Sequence, residues 1–207
     1  MSLLEASGAF QRLPRYLPQE AVQAFFSVIT APRDRALFAF IYLYGLRVSE
    51  VGLHSRGDVD FDRRRIVVKR RKSGFWTERP LFTRLDELFR DCGIDRLPSE
   101  SPLFPGREGA LRKRQIQTLF SRYRDLAGVS RAYTAHGLRH SIATHLLDAG
   151  LSLEFVQDHL GHRNIRSTSI YARITDRNRT AVFERLETSP WIVQPGSSPA
   201  STPPPQP

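Results

Sequence analysis

Between Thr134 and Tyr171 the chain gathers imidazoles, a guanidinium and a phenol, carried by His136, Arg139, His140, His162 and Tyr171. A guanidinium presents paired N–H donors that match two oxygens of a phosphate. An imidazole moves protons or donates hydrogen bonds near neutral pH. A phenol becomes a nucleophile when its developing charge is stabilised. With a reference pKa of about 10, that phenol needs nearby cations or a base to attack at neutral pH. Together these groups suit covalent attack on a phosphodiester.

The elements that must hold them can be read from the same stretch. Thr134 is a candidate N-cap, and Leu138, Ile142, Leu146 and Leu147 recur at helical spacing, so they should face a core. Gly150 should stop that helix, because glycine enters the left-handed region cheaply. His136, Arg139 and His140 then fall within about one turn of each other. Ser152 should cap a second helix that Gly161 ends, with His162 directly after it and Tyr171 nine residues further on. The spacing of His136 and His140 also raises zinc. A zinc-protease helix needs Glu at position 137, where this chain has Gly137, so neither metal nor cofactor is expected. His140, His145 and His159 read instead as buried structural partners.

The segments H-G-L-R-H and L-G-H-R-N-I followed by Tyr171, with G-L-R-V-S-E at Gly45–Glu50 and K-S-G at Lys72–Gly74, resemble the tyrosine recombinase (phage integrase) family. The resemblance runs from about Tyr16 to Glu187, and around the lysine hairpin and L-G-H-R-N-I-R the sequence also resembles the small single-domain fimbrial-type invertases. It implies a mainly α, mixed α+β catalytic domain with a small antiparallel sheet. The implied activity is site-specific DNA recombination of the integrase, invertase or resolvase type, through a 3′-phosphotyrosine on Tyr171. In that scheme Arg47 and Arg139 hold the phosphate, His162 adds a donor, Lys72 protonates the leaving 5′-oxygen and His136 assists proton transfer. Glu50 orients Arg47, and His140 supports the site. The implied partners are double-stranded DNA, further copies of the chain in a tetrameric synapse, and an accessory DNA-bending protein. DNA relaxation of the type IB topoisomerase kind, or a non-catalytic DNA-binding regulator, are the alternatives. Most family members carry a separate N-terminal DNA-binding domain, which the short segment before Tyr16 does not supply.

Composition agrees with a polyanionic partner. All but three of the 31 basic residues are arginine, the net charge is +10 and the pI is about 10.6. Each phosphate neutralised by such a surface releases counterions. Arg70, Arg71, Arg112, Lys113, Arg114 and Arg163 are the candidate DNA contacts. Lys72 sits at a hairpin tip, with Lys69 as its rival one strand position or more too early. Cys92 is the one cysteine, which excludes a disulfide framework and suits a reducing cytoplasm. No secretion signal or long apolar run is read, so no membrane is expected, and the location implied is cytoplasmic, on the nucleoid when DNA is bound.

With 207 residues, 40% of them hydrophobic, one domain with its own core is expected. Its boundaries are a loose arm over residues 1–15, the catalytic domain over 16–188 and a Pro/Ser-rich tail over 189–207. Helices are expected from Leu17, from Pro32 and from Val48 to His54. Strands follow over Asp58–Phe61, Arg65–Val68 and Thr77–Phe82. A helix over Thr83–Cys92, a surface loop over Leu97–Gly109, and a helix over Arg112–Ala127 with Ile116, Leu119, Phe120 and Leu126 inward come next. A last helix is expected over Asp176–Leu186, and the resemblance implies that it docks on a neighbouring protomer.

Overall fold

A computed structural model of the chain describes residues 15–71 and 76–161. Lys72, His162, Arg163, Tyr171, the helix expected over 176–186, residues 1–14 and the tail lie outside the described residues. The described part is mostly helical with a small antiparallel sheet, and none of its helices is long and apolar enough to cross a membrane.

Helix α1 covers Gln19–Ser27 and α2 covers Pro32–Leu43. Pro32 opens α2 where a missing N–H costs nothing. Charged residues occur only in the first turn of α2. The six residues that follow, A-L-F-A-F-I, are all buried. It is therefore the central rod, packed between α3 (Thr83–Asp91) and α5 (Gly137–Asp148). Tyr44 ends it, and Gly45 turns the chain at φ +58° into a short 3₁₀ helix, Val48–Leu53.

The sheet has the order β1 (Val59–Asp60), β2 (Arg65–Lys69), β3 (Trp76–Pro80), all antiparallel, with Val59 opposite Ile66 and Val68 opposite Thr77. Alternation along β2 sends Ile66 and Val68 into the core. The span expected as a surface loop does more than connect. Leu103 and Phe104 are buried, the Leu103 N–H donates to the His54 carbonyl at 2.9 Å, and a small hairpin joins β4 (Pro105–Gly106) to β5 (Gly109–Ala110). An apolar pair amid turn residues plugs the core although no periodicity announces it.

Helix α4 (Lys113–Leu126) buries Ile116, Phe120 and Tyr123, but Leu126 is exposed, contrary to its expected inward place. The inward stripe runs on toward Ala127, and Leu126 falls beside it. Ser152 and Gly161 cap α6 (Leu153–Leu160) as their types require: the Ser152 hydroxyl accepts from the Phe155 N–H, and Gly161 has φ +65°. Thr134 does not cap α5. A turn in which the Thr134 carbonyl accepts from the Gly137 N–H at 2.8 Å leaves His136 at the N-cap position. Two apolar clusters result. The larger is built around α2. The smaller holds Ile142, Ala143, Leu147, Val156 and Leu160 between α5 and α6.

Candidate active site

The site grows from Gly45. A Cβ there would lie 2.5 Å from Leu160 Cδ2, so α6 closes directly onto the bare backbone, and the positive φ suits glycine alone. That approach exposes one carbonyl to two guanidiniums. Arg139, from the first turn of α5, donates to the Gly45 oxygen through Nη1 and to the Leu160 carbonyl through Nη2 at 2.9 Å. Arg70, just past β2, donates to the same Gly45 oxygen at 3.2 Å.

Two residues further on stands Arg47. Its backbone N–H donates to Glu50 Oε2 and its Nη1 to Glu50 Oε1, both at 2.9 Å. Glu50 is fully buried, so this i, i+3 pair is not the surface salt bridge that the spacing alone would equally fit. Arg70 Nη1 lies 3.3 Å from the same carboxylate, which also accepts the Arg71 N–H at 3.3 Å. Burial alone would push the Glu50 carboxyl up. The Arg47 amide, the Arg70 charge and the Arg47 side chain outweigh it and hold the carboxyl below its usual range. The chain of contacts thus runs Arg139, Gly45, Arg70, Glu50, Arg47. Of its two outer members, the Arg47 side chain is 26% exposed whereas Arg139 is buried.

His136 faces this cluster from the start of α5. Desolvation, then the charges of Arg139 and Arg47, push its imidazole below its ordinary value. Its ring meets that of His140 edge-on, with centroids 4.6 Å apart. Burial and the neighbouring His136 push His140 down to about 4. Both rings are therefore neutral at neutral pH. His145 and His159 are structural, as expected: His145 Nδ1 pairs with the Tyr42 hydroxyl at 2.8 Å, and His159 Nε2 with the Leu43 carbonyl at 2.9 Å. Lys69 lies against Asp58, with Nζ 2.7 Å from the carboxylate and 4.8 Å from the Trp76 ring centroid.

The structure brings together Arg47, Glu50, His136, Arg139 and His140. It places Arg70 elsewhere than expected. Arg70 is buried, and its guanidinium donates to Tyr44, Gly45 and His159 carbonyls and to Glu50, so these donors are taken up within the protein rather than offered at the surface. The reason was present in β2: Ile66, Val68 and Arg70 share one alternating face, and that face is the core. Arg71, the next residue, is exposed. Arg112, Lys113 and Arg114 are exposed at the start of α4. Arg112 and Arg114 line an open groove of about 800 Å³ with Arg33 and Arg107. Arg112 there pairs with Glu108 at 2.8 Å.

A mainly helical domain with a small antiparallel sheet, holding two arginines on one carboxylate–carbonyl scaffold, defines the class, and the chain belongs to the phage integrase family, whose pattern matches residues 15–178. It is 37% identical over 170 residues to tyrosine recombinase XerA of Thermococcus kodakarensis, covering 79% of this chain and 59% of that one. It is 36% identical over 190 residues to XerA of Thermococcus onnurineus, covering 88% and 66%. Among solved structures, XerH recombinase bound to a palindromic difH substrate after cleavage superposes with a TM-score of 0.71 at 25% identity, over 90% of this chain and 58% of that one. The crystal structure of XerA recombinase shares the fold, with a TM-score of 0.70 at 23% identity over 86% and 66%. The chain spans about three fifths to two thirds of the length of these relatives.

Proposed function

We propose that the chain is a tyrosine-type site-specific DNA recombinase, with residues 16–188 as its catalytic domain. The observation that carries this reading is the convergence of Arg47 and Arg139 through Glu50 and Gly45, beside a neutral His136. The relatives' names and the DNA-bound XerH structure support it.

In this reading the Tyr171 oxygen attacks a DNA phosphorus and the bond to the 5′-oxygen breaks, leaving a 3′-phosphotyrosine and a 5′-hydroxyl. Lys72 gives the leaving oxygen its proton. His136, kept neutral first by desolvation and then by the charges of Arg139 and Arg47, accepts the phenol proton. Arg47 and Arg139, with His162, stabilise the charge growing on the non-bridging oxygens. Preorganised donors of this kind are each worth roughly 3–4 kcal/mol. Attack by another strand's 5′-hydroxyl reverses the step, and the covalent link conserves the bond energy, so no nucleotide cofactor enters. Exchange of two duplexes calls for several copies on DNA, a tetrameric synapse, with an accessory DNA-bending protein as a further partner in the cytoplasm, at the nucleoid. Arg71, Lys113, Arg114 and Arg163 contact the backbone phosphates.

The test is covalent capture. A pool of nicked duplexes with randomised sequence is incubated with the chain, and protein–DNA adducts are recovered under denaturing conditions. Wild type should form adducts on a defined sequence. Tyr171→Phe, which removes only the hydroxyl, should form none while its DNA affinity stays unchanged. Adducts from the phenylalanine variant at wild-type yield would remove Tyr171 from the mechanism.

A further inference from the structure

The role of Arg70 is not exhausted by its burial. A guanidinium buried to 6% exposure must satisfy its N–H groups within the protein. Arg70 does so on three separate segments. It donates to Tyr44 at 2.6 Å and Gly45 at 3.2 Å at the end of α2. It reaches Glu50 at 3.3 Å in the 3₁₀ helix and the His159 carbonyl at 2.9 Å near the end of α6. Gly161 makes room for it, since a Cβ there would stand 3.2 Å from Arg70 Cγ.

Each of its two inner partners also holds one of the arginines assigned to the phosphate. The Gly45 oxygen takes Arg139, and the Glu50 carboxylate takes Arg47 through both backbone and side chain. Glu50 is a single anion between two cations, and without the second its Oε2 retains the Arg47 amide alone of these donors. The Gly45 carbonyl would likewise keep Arg139 and lose its other guanidinium. We propose that Arg70 is a positioning residue that sets Arg47 and Arg139 in register with each other, by fixing the carboxylate that aims the first and the carbonyl that seats the second. The proposal rests on the assignment of those two arginines to the phosphate made above. A lysine could keep the charge, but its point ammonium cannot span the carboxylate and the carbonyls with a planar fork.

The experiment uses the full chain, with Arg70→Met to keep the stem and remove every N–H, and Arg70→Lys to keep the charge. Three quantities are read: single-turnover cleavage of a nicked duplex isolated by covalent capture with wild type, affinity for that duplex, and native-state hydrogen exchange at the Arg47 and Arg71 amides, both of which donate to Glu50. Arg70→Met should cleave about 10²-fold more slowly, the size of effect that a misplacement of about 1 Å produces. Its DNA affinity should stay unchanged. Protection of the two amides should fall while that of Phe40 and Ile41 in α2 holds. Arg70→Lys should recover part of the rate. If the methionine variant does not fold, the lysine variant carries the test, with a smaller loss in the same direction. Wild-type cleavage rates in the variant that folds, a matching loss of DNA affinity, or unchanged protection of both amides would overturn the proposal. Should wild type itself cleave nothing, the recombinase reading fails, and the exchange data alone decide whether Arg70 fixes Glu50.

Discussion

Arginine serves two opposite purposes in two regions of this molecule. Around Gly45 the guanidiniums of Arg70 and Arg139 are buried and anchored on carbonyls, with Glu50 shared between Arg70 and Arg47. At the start of α4, Arg112 and Arg114 stand in solvent beside an open groove with Arg33 and Arg107. The inner set has its geometry settled by folding, which under the proposed function leaves little reorganisation when a phosphate arrives. The outer set stands in solvent, where salt screens its charges. The same side chain therefore supplies aim in one place and attraction in the other.

The comparison breaks most severely at Gly45. Gly45→Ala puts a Cβ into Leu160 and forces a non-glycine residue to φ +58°. Left-handed strain and overpacking together should cost on the order of 2–5 kcal/mol. Denaturant titration should show that loss, and cleavage should fall with it. A wild-type midpoint would mean that α6 yields at no cost, and that the inner arginines are not held by its closure.

A smaller effect should come from acid. Burial, as the first cause, pushes His54, His140 and His159 each down to about 4 from 6.5, and they lie in or next to the elements that frame the inner cluster. Between those values the unfolded chain binds protons that the native chain does not. Native stability should therefore be complete above pH 6.5 and should decline as the pH falls toward 4. The melting temperature measured across that window reads the slope. A flat profile would show that these rings protonate in place.

The smallest change belongs to the outer set. Arg114→Gln should leave folding and the cleavage rate of bound DNA alone. It should weaken DNA binding and lower the slope of log affinity against log salt by about 1. If the salt slope stays put while the single-turnover rate drops, Arg114 belongs functionally with the inner cluster and the division fails.

Much of this arrangement was legible before any coordinates. Gly45 two residues before Arg47, the i, i+3 spacing of Arg47 and Glu50, the Ser152 cap and the Gly161 stop are local signals, and local chemistry decides them. The Arg139 position was marked by the apolar residues that flank it along α5. What stayed hidden is non-local. Arg70 reads as one more basic residue in a basic run until the alternation of Ile66 and Val68 is carried one step further. Even then nothing in the chain shows that Tyr44, Glu50 and His159 wait for it. Leu103 and Phe104 sit among turn residues, and only the finished core reveals the space they fill. Thr134 has the right side chain for a cap, but the turn over residues 134–137 moves that position on to His136.

The smaller apolar cluster has a thermodynamic consequence of its own. Helix α6 buries only Val156 and Leu160, and it joins the body largely through bonds from Arg70, Arg79 and Arg139 to its carbonyls and to Asp158. Detaching it would uncover those two residues and the Ile142, Ala143 and Leu147 they pack against, less than the α2 core buries. The denaturant sensitivity of an opening scales with the surface it exposes. Opening α6 alone should expose less surface than unfolding the α2 core, so hydrogen exchange of the α6 amides should depend less steeply on urea than exchange in α2.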